Sequence, residues 1–216
     1  MANDPSLAPR PSSLPPPTVY LLDDEPTMVR ALTRLLRSKQ FTVQGFTSVK
    51  EFFAAYQPQA LACLVLDVAM PELNGLDLQQ QLTHHGILLP IIFLTGHGDI
   101  PMSVRAIKAG ASDFLTKPVD AAALVRAVRA ALQKALSQHQ TIAETAELAA
   151  RWATLTPRER EVMEHVVAGQ LNKQIASDLG IVEQTVKVHR GQVMAKMNVD
   201  SVAELVRAAE RLRIGK

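Results

Sequence analysis

Five polar residues stand where apolar, β-branched runs end, and together they could carry out phosphoryl chemistry. Asp23 and Asp24 follow the first such run in VYLLDDEP, and Asp67 follows a later one in CLVLDVAMPELNG. Thr95 ends the next run in IIFLTGHGD, and Lys117 ends the last one in DFLTKPV. Converging carboxylates repel one another unless a hard cation joins them, and Mg²⁺ accepts a few carboxylate oxygens together with water and phosphate. The pattern therefore predicts a magnesium site.

Such a site suits transfer of a phosphoryl group to a carboxylate nucleophile, because a metal ion and an ammonium group stabilise charge on the phosphoryl oxygens. Each residue also has a simpler interpretation when it is taken alone. An aspartate after a strand is usually a helix cap or turn former, Thr95 fits a strand because it is β-branched, and Lys117 could be a solvated lysine. The presence of all five at strand ends favours one common site.

The elements that would position these residues alternate between strand and helix. The predicted strands are Val19–Leu22, Phe41–Val43, Leu61–Leu66, Pro90–Thr95 and Asp113–Thr116. The predicted helices are Pro26–Ser38, Val49–Tyr56, Leu76–His84, Pro101–Ala109 and one that begins after Asp120. This alternation predicts an α/β domain with a doubly wound, five-stranded parallel sheet of the flavodoxin-like kind. The five polar residues are then expected at one edge, the carboxyl ends of the strands.

From Thr156 onward the strand pattern stops and an all-α domain is predicted. Its four helices are expected at residues 157–168, 173–179, 182–197 and 202–212. Gly180 supplies the positive φ of a tight turn between the second and third of these helices. Ala176 is small where those two helices must approach, and Val186 falls where an apolar side chain would bury the third. This is the pattern of a helix-turn-helix, whose second helix enters the major groove of DNA.

The third helix also carries a basic face, since residues 184–199 contain no acidic residue. Its basic or titratable side chains are Lys187, His189, Arg190 and Lys196. At 3.6 residues per turn, one stripe of this helix consists of Gln184, Lys187, Val188, Gly191 and Ala195. A short basic face seen alone is commonly just solvated. Together with the turn, it predicts that this stripe faces DNA, with Arg190 beside it and within reach of phosphate.

Composition and the remaining segments bound the class of protein. The chain has 216 residues, a formal net charge of +2 and one cysteine, which excludes a disulfide framework and a cysteine-rich zinc site. Its apolar runs fall far short of the about 20 residues that a transmembrane helix needs. We therefore expect a cytoplasmic protein that does not enter a membrane.

Four segments are predicted along the chain. Residues 1–17 are rich in proline and are expected to form a disordered tail, and residues 18–136 form the α/β domain. Residues 137–153 are expected to be a helical linker, and residues 154–216 form the helix-turn-helix domain. Because no Gly or Pro interrupts residues 121–153, one long helix is favoured there over a flexible linker.

Residues 18–136 resemble the receiver domain of two-component response regulators, because the motifs DD, LDVAMPxxNG, TGHGD and KP occur in order at the spacing of that family. The resemblance implies that Asp67 accepts phosphate from a sensor histidine kinase. It implies that Asp24 and Asp67 bind Mg²⁺ directly, together with the backbone carbonyl of Ala69, and that Asp23 acts through water. The run HGDIPMSVRAIKAGASDFLTKP is similar to the FixJ-like branch in particular.

The same resemblance assigns roles to residues on the last two strands. Thr95 and Lys117 would bind the phosphoryl oxygens. Phe114 matches the position of an aromatic switch, which is often Tyr elsewhere in the family. The simpler interpretation of Phe114 is a core phenylalanine.

The run LTPREREV…NKQIASDLGI…TVKVH resembles the DNA-binding domain of the LuxR/NarL type, over residues 155–212. The resemblance implies four helices, with the third in the major groove and the fourth used for dimerisation. Lys187 and Val188 match positions that contact bases in that family. Gly191 departs from the pattern, because several relatives have a basic residue there.

The sequence therefore predicts a bacterial response regulator of the FixJ/NarL type. It would accept phosphate on Asp67, dimerise and bind promoter DNA, as an activator with RNA polymerase as a further partner, and its only chemistry would be its own phosphorylation and slow dephosphorylation. One alternative is a phosphorylation-independent transcription factor with a vestigial receiver. Another is an aspartyl-phosphate phosphatase, but Ala69 stands where phosphatases of the haloacid-dehalogenase type carry their general acid.

Overall fold

The computed structural model describes residues 16–58, 60–71, 73–96 and 100–214. Of the tail predicted for residues 1–17, only the last two residues are in the described part, and residues 97–99 of the TGHGD motif lie outside it. The chain divides into two compact units, one ending at His139 and the other beginning at Gln140.

The first unit is a five-stranded parallel sheet with helices between the strands, in the strand order β2-β1-β3-β4-β5. The strands are β1 (Thr18–Leu22), β2 (Thr42–Phe46), β3 (Ala62–Asp67), β4 (Ile91–Thr95) and β5 (Asp113–Thr116). The helices are α1 (Pro26–Ser38), α2 (Val49–Ala55), α3 (Gly75–His84), α4 (Ile100–Lys108) and α5 (Ala121–Ala153). The predicted doubly wound α/β fold is confirmed.

Strand β2 begins one residue later than predicted and continues three residues further. Residues 44–46, which include Gly45, pair in register with β1, as far as Leu22 opposite Phe46. A Cβ built on Gly45 would lie 2.5 Å from the Val29 Cγ1 of α1. The glycine therefore allows close packing of α1 on β2 and does not end the strand.

The sheet separates two apolar layers, and the side chains of β1 alternate between them. Val19 and Leu21 belong to one buried cluster, whereas Tyr20 and Leu22 belong to the other. All residues of β3 and β4 are buried, as expected for central strands covered by helices on both faces. Dense packing on both faces holds the carboxyl ends of these strands in fixed positions.

The second unit is a helical domain around its own core, as predicted. After the end of α5 it contains α6 (Pro157–Val167), α7 (Asn172–Leu179), α8 (Glu183–Met197) and α9 (Val202–Leu212). Fully buried side chains from each of these helices meet in that core, namely Val162, Met163, Ile175, Val186, Met197, Leu205 and Ala209. Helix α6 begins with a complete capping box formed by Thr156 and Glu159.

Helix α5 extends over 33 residues. Leu124, Val128 and Leu132 near its start are buried in the core of the first unit. Leu148 and Trp152 near its end pack against the core of the second unit. In the described part of the chain, no helix is both long enough and apolar enough to cross a membrane.

Candidate functional site: an acidic cluster and a helix-turn-helix

Three aspartates meet at the carboxyl edge of the sheet. Asp23 follows β1 directly, Asp24 is next to it, and Asp67 is the last residue of β3. One carboxylate oxygen from each of the three lies within 4.8 Å of the others. Asp23 and Asp67 are buried, whereas Asp24 is exposed, so the cluster opens to solvent on the side of Asp24. We call these three residues the acidic cluster.

Lys117 joins two members of the acidic cluster from the end of β5. Its Nζ lies 2.8 Å from Asp23 Oδ2 and 2.8 Å from Asp67 Oδ1. Partial burial acts to lower the pKa of Lys117, but hydrogen bonds to Asp23 and Asp67 outweigh that effect, and the pKa is raised above its ordinary value. The ammonium group therefore stays charged beside Asp67.

Backbone amides hold the remaining oxygens of the two buried carboxylates. The N–H of Glu25 donates to Asp23 Oδ1 at 2.9 Å, and the N–H of Ala69 donates to Asp67 Oδ2 at 3.1 Å. Both amides lie two residues after the carboxylate they bind, so the loop after each strand fixes the side chain at its end. These bonds also explain how two carboxylates can be buried so close together, since buried charges need such partners.

The backbone of Gly75, the first residue of α3, comes close to the end of β3. Its N–H donates to the carbonyl of Val68 at 3.0 Å. A Cβ built on Gly75 would lie 2.5 Å from the carbonyl oxygen of Asp67 and 3.2 Å from Phe93 Cε1. A side chain at this position would therefore displace the backbone that carries Asp67. The motif LDVAMPELNG includes this glycine, but spacing alone does not reveal the contact.

Thr95 lies on β4 and Phe114 on β5, the two strands that follow β3 in the sheet. Thr95 is the buried last residue of β4, and its carbonyl accepts the backbone N–H of Lys117 at 2.6 Å. Phe114 is half-buried on β5 and pairs in register with Phe93, with 6.3 Å between the ring centroids. Phe114 thus belongs to one apolar layer of the first unit in this conformation.

The donor set of the acidic cluster fits a small divalent cation. Three carboxylates against one ammonium leave a formal charge of −2 at this edge. All the candidate ligands are hard oxygens, which Mg²⁺ prefers, and Mg²⁺ keeps several of its waters when it binds to few carboxylates. The exposed carboxylate of Asp24 leaves one side of the cluster open for such waters and for a phosphate.

The second unit contains a helix-turn-helix formed by α7 and α8. Helix α7 ends at Gly180, which has a φ of +64°, and the N–H of Ile181 donates to the carbonyl of Ala176 at 3.0 Å. Ala176 is buried, and Val186 is completely buried on α8. The turn and packing positions predicted from the sequence thus lie between the two helices.

The predicted stripe of α8 lies on the surface, on the side away from Val186 and Val193. All five of its members are exposed: Gln184, Lys187, Val188, Gly191 and Ala195. Val188 has a relative exposure of 51%, which is high for an apolar side chain. Lys187 lies 3.4 Å from Glu183 one turn earlier, a surface ion pair that adds little to stability. The stripe is therefore available to a partner.

Two basic residues of α8 have partners that the sequence did not predict. The guanidinium of Arg190 donates to Asn172 Oδ1 of α7 at 2.5 Å and is partly buried. Lys196 forms an ion pair with the buried Glu159 of α6, with 2.6 Å between Nζ and Oε2. Hydrogen bonds from Lys196 and from the backbone of Thr156 lower the pKa of Glu159. Lys196 thus fastens the end of α8 to the start of α6.

Comparison with protein families gives two matches that follow each other along the chain. Residues 19–129 match the family described as response regulator receiver domain. Residues 153–209 match the family described as bacterial regulatory proteins, luxR family.

Two related proteins resemble this chain over almost all of its length. The response regulator protein TodT of Pseudomonas putida is 48% identical over 195 residues, which cover 90% of this chain and 86% of that protein. The transcriptional regulatory protein FixJ of Azorhizobium caulinodans is 44% identical, with 92% and 93% of the two chains covered.

Two solved structures are similar to this chain. The response regulator StyR matches with a TM-score of 0.78 and 44% identity, covering 91% of this chain and 100% of StyR. Full-length FixJ from B. japonicum matches with a TM-score of 0.55 and 40% identity, covering 90% of this chain and 96% of FixJ.

Proposed function

This chain belongs to the two-component response regulators that join a receiver domain to a LuxR-type DNA-binding domain, and on that premise we propose that Asp67 is its phosphorylated residue. The protein is a phosphorylation-dependent regulator of transcription. The observation that supports Asp67 is its position in the acidic cluster, with a charged ammonium 2.8 Å from one of its carboxylate oxygens.

The phosphoryl donor is a phosphohistidine of a sensor kinase. A carboxylate oxygen of Asp67 attacks the phosphorus atom, the P–N bond breaks, and the imidazole leaves as an acyl phosphate forms on Asp67. Lys117 is positioned to neutralise the phosphoryl oxygens, because its ammonium already touches Asp67. Thr95 ends the adjacent strand and supplies a hydroxyl at the same edge of the sheet. Slow hydrolysis of the acyl phosphate returns the carboxylate.

Asp24 and Asp67 would hold Mg²⁺ directly, with the carbonyl of Ala69, and Asp23 would act through water. When bound, Mg²⁺ would supply positive charge to the phosphoryl group and would offset the formal charge of the acidic cluster. Asp23 and Asp67 are buried and Asp24 is not, so Asp24 is the carboxylate of the acidic cluster that is most accessible to an entering ion. Phe114 changes its packing as Thr95 moves toward the phosphoryl group, which alters the surface near α4 and β5.

The exposed stripe of α8 reads promoter DNA in the major groove. Gln184, Lys187 and Val188 contact bases, and the surface at Gly191 comes close to the groove without a side chain. Arg190 keeps its hydrogen bond to Asn172 and reaches phosphate with its remaining N–H groups, since a guanidinium has five. This orientation rests on the complete burial of Val186 and near-complete burial of Val193 on the other side of α8.

The phosphorylated protein forms a homodimer on two related half-sites and activates transcription with RNA polymerase as its partner. It acts in the cytoplasm, where the chromosome and the kinase domain are accessible to it. The domains on each side of residues 137–153 are a receiver of residues 18–136 and a DNA-binding domain of residues 154–216, connected by the helical linker.

Labelling with acetyl phosphate and Mg²⁺, measured by intact mass, tests the proposed acceptor. The native protein should gain one phosphoryl group, and Asp67→Asn should gain none, because an amide cannot form an acyl phosphate. Asp77→Asn is the matched control, since Asp77 is exposed in the first turn of α3, outside the acidic cluster. Labelling of Asp67→Asn would overturn the assignment. A native protein that takes no label would favour the vestigial receiver, and turnover of a small phosphate ester would favour a phosphatase.

A further inference from the structure

A cavity of about 270 Å³ lies in the first unit at the opposite end of the sheet from the acidic cluster. It is bounded by α3, by the start of β4, by the turn after α4 and by α5. A site for one water needs roughly 10–15 Å³ on the same scale, and ligand sites begin near about 300 Å³. The cavity therefore has room for a small molecule.

One wall of the cavity is apolar. Leu82 of α3 is almost completely buried, and Ile87 and Leu89 in the connection to β4 are partly buried. These side chains would pack against the hydrocarbon part of a ligand. Such walls with a few polar groups among them are typical of small-molecule sites.

Two glutamines lining the cavity have buried carbonyl oxygens that need a donor. Gln79 is 4% exposed, and its Nε2 donates to the carbonyl of Ala109 at 3.0 Å, which fixes the orientation of the amide. The Oε1 atoms of Gln79 and of Gln138 are buried and accept no hydrogen bond from any described residue. Buried polar atoms are nearly always paired, so these two oxygens are open to a hydrogen bond from water or from a ligand.

Lys134 adds a positive charge to the same cavity. It lies one turn before Gln138 on α5, so the two side chains share a face of the helix. Its Nζ is 3.4 Å from the carbonyl of Gly110, a long and exposed contact. The ammonium group is therefore available to an anion.

We propose that this cavity binds a small apolar carboxylic acid that also carries a hydroxyl or amino group. The carboxylate pairs with Lys134, the hydroxyl or amino group donates to Oε1 of Gln138, and the apolar body packs against Leu82, Ile87 and Leu89. Binding is separate from phosphorylation, because none of these residues belongs to the acidic cluster.

Binding can be measured on the full-length protein by NMR titration with 4-hydroxybenzoate and 4-aminobenzoate. Both should give saturable shifts of the side-chain amide signals of Gln79 and Gln138. Benzoate lacks the donor and phenol lacks the carboxylate, so each should bind roughly tenfold more weakly, the effect of losing a hydrogen bond to a charged or buried group. Absence of saturable shifts with both substituted benzoates would overturn the proposal.

Two variants test which side chains take part. Lys134→Gln should weaken 4-hydroxybenzoate about tenfold, and this exposed position allows the variant to fold. Gln138→Met should weaken 4-hydroxybenzoate but leave benzoate unchanged. Lys50→Gln is the control for charge, because Lys50 is exposed on α2 and does not line the cavity. Equal affinity of Lys134→Gln and Lys50→Gln would contradict the assigned carboxylate contact. Labelling by acetyl phosphate should be unchanged in all three variants, so this test fails or succeeds independently of Asp67.

Discussion

Because Gly75 has no side chain, its backbone can lie close to the backbone of Asp67 at the end of β3. Gly75→Ala places a Cβ 2.5 Å from the carbonyl oxygen of Asp67, a backbone atom that cannot rotate away. We expect a loss of about 1–3 kcal/mol in the free energy of unfolding, as for other overpacked positions. We also expect slower labelling by acetyl phosphate, because Asp67 must move with its backbone. Urea unfolding and labelling rates measure the two effects.

Gly191→Ala is the matched control, because the same change is made where there is space. No described heavy atom lies within 4 Å of a Cβ built at Gly191, which is exposed within α8. This variant should gain about 0.5–1 kcal/mol from the lower flexibility of the unfolded chain, with labelling unchanged. Equal free energies of unfolding for the two alanine variants would contradict this prediction. They would show that the backbone near Gly75 shifts to accept a Cβ without loss of stability.

That four of the candidate site residues lie together could be predicted from the sequence, because their types and order are visible there. Asp23, Asp24, Asp67 and Lys117 each follow an apolar run, and the structure brings all four to one edge. The contact of Gly75 with Asp67 could not be predicted in the same way. It depends on a distance between two backbones, which is set by packing of α3 on the sheet.

Among the elements of the second unit, the ion pair of Glu159 with Lys196 connects α6 to α8. The pKa of Glu159 is lowered in the folded domain, chiefly by the hydrogen bond from Lys196. A lowered folded pKa means that the stabilisation is present above the unfolded value of about 4.3 and is lost as the pH falls through the folded value. Glu159→Gln should therefore lower the free energy of unfolding at pH 7 by about 1 kcal/mol, since Lys196 is partly solvated.

The difference between native protein and Glu159→Gln should shrink as the pH is lowered below about 4.3. Thermal unfolding at a series of pH values measures it. Glu161→Gln is a suitable control, because Glu161 pairs with Arg158 on the exposed side of α6. If the two variants lose stability equally at every pH, the buried pair has no special role.

Lys187 is the basic residue of the exposed stripe of α8, and we expect its removal to weaken DNA binding. Lys187→Ala should weaken operator binding by about 1–3 kcal/mol and relax the base preference. Lys50→Ala removes the same charge from an exposed position on α2 and should leave binding nearly unchanged. Titration at fixed salt, followed by a salt series, separates base contacts from phosphate contacts, since each lost phosphate contact lowers the salt slope by about one. A Lys187→Ala variant with unchanged base preference would show that α8 lies in the groove differently.

The sequence predicts helices and strands well where their apolar periodicity sets the bounds. It predicts them less well where contacts with distant residues set them. Helices α6 and α9 begin directly after residues whose side chains cap them, Thr156 and Ser201, whereas α7 and α8 have no such cap. Strand β2 continues three residues beyond the predicted end at Val43, and Gly45 within that extension makes room for Val29 of α1. Similarly, Lys196 counts as part of a basic face in the sequence, although its partner Glu159 is 37 residues away along the chain.

For the whole molecule, the order of a strand-and-helix half before an all-helical half was enough to predict two domains of different class. After the last predicted strand, Asp113–Thr116, only helical periodicity remains, and this change marks the division in the sequence. The two units each have a separate apolar core in the structure, so each can be stable by itself. An effect of phosphorylation in the first unit on the second unit can be measured only on the full-length protein.

Phosphorylation should convert the full-length protein from monomer to dimer. A phosphoryl group adds about −1.5 to −2 charges beside Lys117, which now holds Asp23 and Asp67 together. Competition for that ammonium, together with the proposed movement of Thr95 and repacking of Phe114, should shift the surface near α4 and β5 between two conformations. Beryllofluoride with Mg²⁺ imitates the acyl phosphate, so it should double the mass seen by sedimentation at micromolar protein. Asp67→Asn should remain monomeric under the same conditions. A native protein that stays monomeric with beryllofluoride bound would show that phosphorylation acts on DNA binding without dimerisation.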